Sequence, residues 1–220
     1  MNESVTLPYT DRRQAGRELG RALKHYRGTP DLLVLGLPRG GIPVAYEVAA
    51  ALNAPLEVFV VRKLGVPGHE ELAMGALASG GTTVLNEEVI QSLHDPERAI
   101  EMVKPIEWKE LERRERLYRG ARPFPDLNER PVILVDDGLA TGATMRAALR
   151  ALQPLGPSRR VMAVPVAAPS TAAAFSEECD EVVCPALPPG FRAVGQFYDY
   201  FDQTTDDEVH ELLASSRLAN

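Results

Sequence analysis

The stretch from Val132 to Met145 constrains this chain more than any other. Val132, Ile133, Leu134 and Val135 form a run of apolar, mostly β-branched residues, the pattern of a strand buried on both faces in a parallel sheet. The run ends in two adjacent carboxylates, Asp136 and Asp137, followed by a small-residue turn from Gly138 to Thr144. An amphipathic helical stretch then runs from Met145 through Leu152. A plain strand-to-helix turn needs one Asp as a cap. Two carboxylates followed by Thr141-Gly142-Ala143-Thr144 exceed that requirement. A helix N-terminus attracts phosphate, while carboxylates accept hydrogen bonds from sugar hydroxyls and sit well beside a hard divalent cation. The pattern therefore suits a phosphorylated sugar.

The segment Val135 to Thr144 resembles the phosphoribosyl pyrophosphate (PRPP) loop of the type I phosphoribosyltransferases. The motif is specific: it lacks both the Lys of a nucleoside-triphosphate loop and the spaced glycines of a dinucleotide fingerprint. Three further segments carry the resemblance: Leu37-Pro38-Arg39-Gly40-Gly41, Arg62-Lys63-Leu64-Gly65 and Val194-Gly195-Gln196-Phe197-Tyr198. Together they resemble a bacterial branch of the family whose acceptor is not generally assigned. The resemblance extends over roughly residues 5 to 215.

Composition narrows the functional classes. The 220 residues suffice for one α/β domain with a substantial core and hardly for two, so residues 1–220 are read as a single domain. A net charge of −7 disfavours a nucleic-acid surface, which rests on a basic field. No apolar run reaches membrane-spanning length, and Met1-Asn2-Glu3-Ser4 lacks a basic-then-apolar signal pattern. No membrane association and a cytoplasmic location are the expectation. Cys179 and Cys184 form no second pair for zinc and read as reduced thiols.

Periodicity gives the order of elements. A helix is expected from Asp11 to Tyr26, a strand from Asp31 to Leu35, a loop from Gly36 to Gly41 and a helix opened by Pro43. Pro55 to Arg62 reads as a second strand. Gly65 to Gly81 reads as a mobile loop, and Thr82 to Asn86 as part of a short hairpin. A long charged helix starts at Asp95-Pro96 and reaches about Tyr118; its charges read as a solvated face. After the central strand and helix come a strand at Arg160–Val166, a helix at Ser170–Glu177 and a fifth strand at Glu181–Cys184. This alternation implies an α/β fold with a doubly wound, mainly parallel five-stranded sheet flanked by helices. Such sheets bind ligands beyond the carboxyl ends of their strands, where strand order reverses.

The resemblance assigns roles. The 5-phosphate of PRPP would sit on the backbone of Ala140, Thr141, Gly142, Ala143 and Thr144. Asp136 and Asp137 would hold the ribose hydroxyls and stabilise positive charge at the anomeric carbon as pyrophosphate leaves. Pyrophosphate would lie in a cradle of Arg39, Gly40 and Gly41, with Arg62 and Lys63 neutralising the leaving group. A non-proline cis peptide at Pro38–Arg39 is also implied. Mg2+ is implied as the cofactor, carried by ligand oxygens and water; no direct protein ligand is expected, with Asp136 and Asp137 reaching it through water. Members that take oxopurines carry a further Asp where this chain has Ala140, so a proton-handling group must come from elsewhere. Glu71 is the first choice, with Glu70 and His69 behind it. A hood is expected at Leu187 to Gln203, helped by the N-terminal segment. Its aromatics either stack on a planar acceptor or cap the sheet edge.

Three functions follow. The leading one is phosphoribosyl transfer between PRPP and a nitrogenous acceptor, in either direction with pyrophosphate exchange. The second is a non-catalytic, PRPP-sensing regulatory protein. The third is action on a phosphorylated nucleoside. The expected partners are PRPP or pyrophosphate and an unidentified small-molecule acceptor, and a homodimer stays open.

Overall fold

The computed structural model describes residues 6–218. The N-terminal residues read above for a signal pattern lie outside them. The element order is α1 (Arg12–Ala22), β1 (Leu33–Gly36), α2 (Gly41–Leu52), β2 (Leu56–Val58), β3 (Val61–Val66), β4 (His69–Ala78), β5 (Thr82–Leu85), α3 (Glu87–Ser92), α4 (Pro96–Arg119), β6 (Pro131–Val135), α5 (Ala143–Leu152), β7 (Arg159–Ala163), α6 (Pro169–Ala174), β8 (Glu181–Val183) and α7 (Asp206–Leu218).

Five strands form one parallel sheet in the order β2-β1-β6-β7-β8. Side chains alternate between its faces, and both faces are dry. Val34, Ile133, Val135 and Val161 point into a core shared with α2, α7 and the inner face of α4. Leu33, Leu35, Val132, Leu134 and Met162 point the other way, into a core closed by α5, with Ala172 and Phe175 beside it. Burial on both faces explains the unbroken apolar runs that identified β1 and β6. The chain leaves β1 toward β2, and leaves β6 in the opposite direction toward β7. Strand order therefore reverses between β1 and β6, and a crevice opens beyond their carboxyl ends.

Two expectations change. The strand expected from Pro55 to Arg62 splits: β2 joins the parallel sheet, and β3 turns away to start a separate three-stranded antiparallel sheet, β3-β4-β5. The segment expected to be a mobile loop is largely β4, hairpinned to β3 across Pro67 and Gly68, with register shifts at Leu64, Gly65 and Val66. Its Glu, Ala and Gly residues are weak strand formers, so cross-strand pairing decided the conformation. The hairpin expected at Thr82–Asn86 forms as β5. Helix α7 lies beyond the elements expected from periodicity and buries Val209, Leu212 and Leu213.

Helix caps follow local chemistry. The Asp11 carboxylate accepts from the Gln14 amide at 2.7 Å to start α1. Asp95 caps α4 through the Arg98 amide at 3.2 Å, with Pro96 in the first turn. No helix among the described residues is long and apolar enough to cross a membrane.

Candidate active site

The two loops read from the sequence meet in the crevice. The first follows β1, from Leu37 to Gly41, and the second follows β6, from Asp136 to Thr144. The Leu37 amide donates to the Val135 carbonyl at 2.9 Å, which ties the loops together at their bases. The Pro38–Arg39 peptide is cis, as the resemblance implies. Glycine is required at 40 by close approach: a Cβ there would lie 2.1 Å from Asp137 Oδ2. At Gly41 a Cβ would meet the Val135 carbonyl at 2.8 Å and the Asp136 backbone at 2.9 Å. The acidic pair is thus packed directly against the glycine loop.

Each carboxylate has one oxygen committed to protein. Asp136 Oδ1 accepts from the Asp137 amide at 2.9 Å. Asp137 Oδ2 accepts from Arg12 Nε at 2.8 Å. Burial pushes the Asp136 carboxyl well above the ordinary range, and the charge of Asp137 adds to the effect. Burial also raises Asp137, but the Arg12 guanidinium opposes the rise. Asp136 is therefore the group displaced further. Two adjacent carboxylates held this way resist ionising together unless something positive or proton-donating joins them.

Beyond the pair, the chain turns into α5 through Gly142, whose φ is +76° and whose Cα faces the Phe175 ring. Gly142 offers no side-chain cap to α5, and the Thr141 hydroxyl accepts from the Ala143 amide only at 3.5 Å. Thr141, Ala143 and Thr144 are exposed, so the turn and the first amides of the helix open to solvent. The loop is pinned from beneath by the Leu139 amide on the Val166 carbonyl at 2.9 Å and by Thr171 Oγ1 on the Ala140 carbonyl at 2.8 Å. An open helix N-terminus on a fixed loop is an anion seat.

Of the remaining site residues from the sequence, Arg39 belongs to the glycine loop and the others lie on β3 and β4. Arg39 is half-buried in the glycine loop; its carbonyl accepts from the Ile42 amide at 3.1 Å, and its guanidinium has no hydrogen-bond or ion-pair partner among the described residues. Arg62 and Lys63 lie on β3. Arg62 is engaged with Glu107 of α4, Nε to Oε2 at 2.7 Å. Neighbouring strand residues face opposite ways, so Lys63 projects from the other face, exposed and unpaired among the described residues. Glu71, with His69 and Glu70, is exposed near the start of β4. Among the described residues no contact joins it to the acidic pair.

The segment Leu187–Gln203 packs against the second loop and against Tyr9, ahead of α1. A Cβ on Gly138 would meet the Val194 side chain at 2.5 Å. Tyr9 pairs with Tyr198, through Tyr9 N to the Phe197 carbonyl and Asp199 N to the Tyr9 carbonyl, both 2.8 Å. Tyr198 Oη donates to the Asp137 carbonyl at 2.5 Å, and burial raises its pKa. Phe197 and Tyr198 are buried, and Tyr198 packs on Phe201 at 5.0 Å. These rings cap the sheet edge, with Phe191 and Phe201 half-buried and Tyr200 69% exposed.

Sequence reasoning missed Arg12. It sits at the start of α1, 125 positions from Asp137, and nothing local marks it among the arginines of that helix. Among the described residues no group of three or more His, Cys, Asp or Glu side chains converges as a metal cage. The second oxygen of each carboxylate accepts no hydrogen bond among the described residues, so the pair could face a hard cation.

Comparison with known proteins agrees with this geometry. The family model for the phosphoribosyl transferase domain matches residues 9–201. A Mycobacterium tuberculosis H37Rv protein provisionally named a phosphoribosyl transferase is 47% identical over 205 residues, 93% of this chain and 46% of that protein. The chain thus spans about half the length of the curated relatives it matches. The bifunctional protein PyrR of Corynebacterium diphtheriae is 27% identical over 129 residues, 59% of this chain and 50% of that protein. The crystal structure of TT1426 from Thermus thermophilus superposes with a TM-score of 0.85 at 41% identity, covering 95% of this chain and 99% of that one. With the family model matching nearly the whole of the described chain, this protein belongs to the phosphoribosyl transferase domain family.

Proposed function

We propose that the protein is a pentosyl-transferring glycosyltransferase that binds PRPP and moves its phosphoribosyl group to or from a nitrogenous small molecule, with exchange of pyrophosphate. The observation that carries this reading is the packing of Asp137 against Gly40 at the strand-order reversal, beside the open N-terminus of α5. That arrangement offers seats for three parts of one ligand. The turn from Ala140 to Thr144 takes the 5-phosphate. Asp136 and Asp137 each have a second oxygen for a ribose hydroxyl, and their charge favours the cationic character that develops at the anomeric carbon. The backbone of Arg39, Gly40 and Gly41 takes the pyrophosphate, and the free guanidinium of Arg39 neutralises it. Lys63 is the further cation for the leaving group, while Arg62, held by Glu107, orients the strand that carries it.

Magnesium, when bound, supplies charge neutralisation on the pyrophosphate oxygens; Asp136 and Asp137 would meet it through water. Glu71 is the proposed proton-handling group, which requires β4 to approach the ligand. Cys179 and Cys184 are free thiols, which supports a reducing, cytoplasmic setting.

The test is calorimetric titration with magnesium-PRPP, followed by a pyrophosphate-release screen across bases, amines and small aromatics. Micromolar binding with release stimulated by one acceptor class is the expected result. Binding without any stimulated release would transfer the assignment to a PRPP-sensing regulator. No binding would overturn both readings.

A further inference from the structure

We infer that Arg12 is a positioning residue of the PRPP site, holding Asp137 in register with the glycine loop and joining the Leu187–Gln203 segment to it. The inference rests on the PRPP-binding reading above. Three contacts carry it. Arg12 Nε donates to Asp137 Oδ2 at 2.8 Å. Arg12 Nη1 donates to the Asp202 carbonyl at 2.7 Å. The guanidinium plane lies over the Phe201 ring, 3.9 Å from its centroid. The side chain of Arg12 is 12% exposed and that of Asp137 is 15% exposed, so the pair is largely withdrawn from water.

The geometry divides the labour on Asp137. Its Oδ2 is fixed between Arg12 and the Gly40 Cα, where a Cβ would collide at 2.1 Å. Oδ1 is left for a ribose hydroxyl. Without Arg12, two adjacent buried carboxylates would face each other with no cation in hydrogen-bonding reach among the described residues, and Asp137 would turn or take up a proton. Either response removes an acceptor from the sugar.

Arginine is required rather than any cation. A guanidinium is planar and always charged; it donates in two directions while stacking on an aromatic face. Lysine offers a point charge that can serve Asp137 but not simultaneously the Asp202 carbonyl and the Phe201 ring. Phe201 in turn packs on Tyr198, whose hydroxyl donates to the Asp137 carbonyl. The acidic pair and the aromatic cap therefore share one residue, and ligand engagement at Asp137 is mechanically continuous with the cap.

The experiment measures magnesium-PRPP affinity and thermal stability for the wild type, Arg12→Gln, Arg12→Lys and Phe201→Leu. Wild-type binding comes first: its absence would defeat the PRPP reading itself, not this inference. Given wild-type binding, Arg12→Gln should weaken affinity by roughly tenfold to a hundredfold, the range for one lost charge-assisted hydrogen bond. Arg12→Lys should recover part of that loss, because it restores charge at Asp137. Phe201→Leu should fall between wild type and Arg12→Lys. A structural role alone would lower the melting temperature in all three variants while leaving affinity per folded molecule unchanged, and that result overturns the inference. Should Arg12→Gln fail to fold, Arg12→Lys and Phe201→Leu decide it: wild-type affinity in both overturns the proposal.

Discussion

The parallel sheet and the antiparallel sheet solve the placement of functional residues in opposite ways. At the carboxyl ends of β1 and β6, the acidic pair and the loops that carry it are locked before ligand arrives. Asp137 is held by Arg12 and pressed on Gly40, Asp136 is held by its neighbour's amide, and the loop bases are tied by hydrogen bonds. On β3 and β4, Lys63 and Glu71 are exposed, and Arg62 is occupied by Glu107. The first region is preorganised, which suits binding a charged, multi-part ligand. The second leaves its charges in water, at little folding cost. Substitutions should therefore separate: those in the first region change PRPP binding, and those in the second leave it largely intact.

The largest effect should come from neutralising the acidic pair. The double variant Asp136→Asn, Asp137→Asn should fold, lose turnover and lose at least about a hundredfold in PRPP affinity, since two charge-assisted hydrogen bonds at about 1.5–3 kcal/mol each disappear. Unchanged affinity by calorimetry would remove these residues from the site.

The next contrast uses one substitution in each region. Gly40→Ala drives a methyl group into the Asp137 carboxylate and should cost about 1–3 kcal/mol of stability together with PRPP binding. Gly68→Ala, at the β3–β4 turn with φ +81° and open space around it, should cost about 1 kcal/mol and leave binding intact. Denaturant titration and calorimetry on both variants check this; equal losses of binding would erase the distinction between regions.

A smaller effect is expected at Lys63→Met, an exposed position. Stability should stay within about 0.5 kcal/mol of wild type. The rate of pyrophosphate release should fall while PRPP affinity changes little, as the role proposed for Lys63 at the departing group requires. A release rate equal to wild type would leave β3 without a role in the reaction.

The smallest effect concerns pH. The folded-state pKa of Asp136 is raised by burial and by Asp137. A carboxyl with a raised folded value binds its proton more tightly when folded. Its contribution to stability is present below the ordinary value of 3.8 and is lost as pH rises through the folded value. Asp136→Asn cannot ionise, so it should be more stable than wild type at pH 7, with the gap narrowing toward pH 4. Urea unfolding at both pH values measures it, and a gap that does not change with pH would contradict the raised value.

Helix-phase and strand-phase patterns were legible wherever burial was two-sided and continuous. Val132 to Val135 read as a buried strand and form β6, and the Asp-Asp and Gly/Thr turn after it marked the candidate site. Leu37 to Gly41 was equally legible as a glycine loop before a helix. The three-stranded sheet was not, because His69 to Ala78 mixes Glu, Ala and Gly, and its conformation is set by hydrogen bonds to β3 and β5.

Sequence by itself determined the parallel core, the order of its strands' connections and the two loops that face the crevice. Those depend on local periodicity and on short motifs whose residues are adjacent in the chain. Tertiary structure alone decided that Gly40 serves the close approach of Asp137, that Arg12 supplies the charge beside it and that the rings of Leu187–Gln203 cap the sheet edge. Each of these joins residues far apart in sequence, and only packing makes them neighbours.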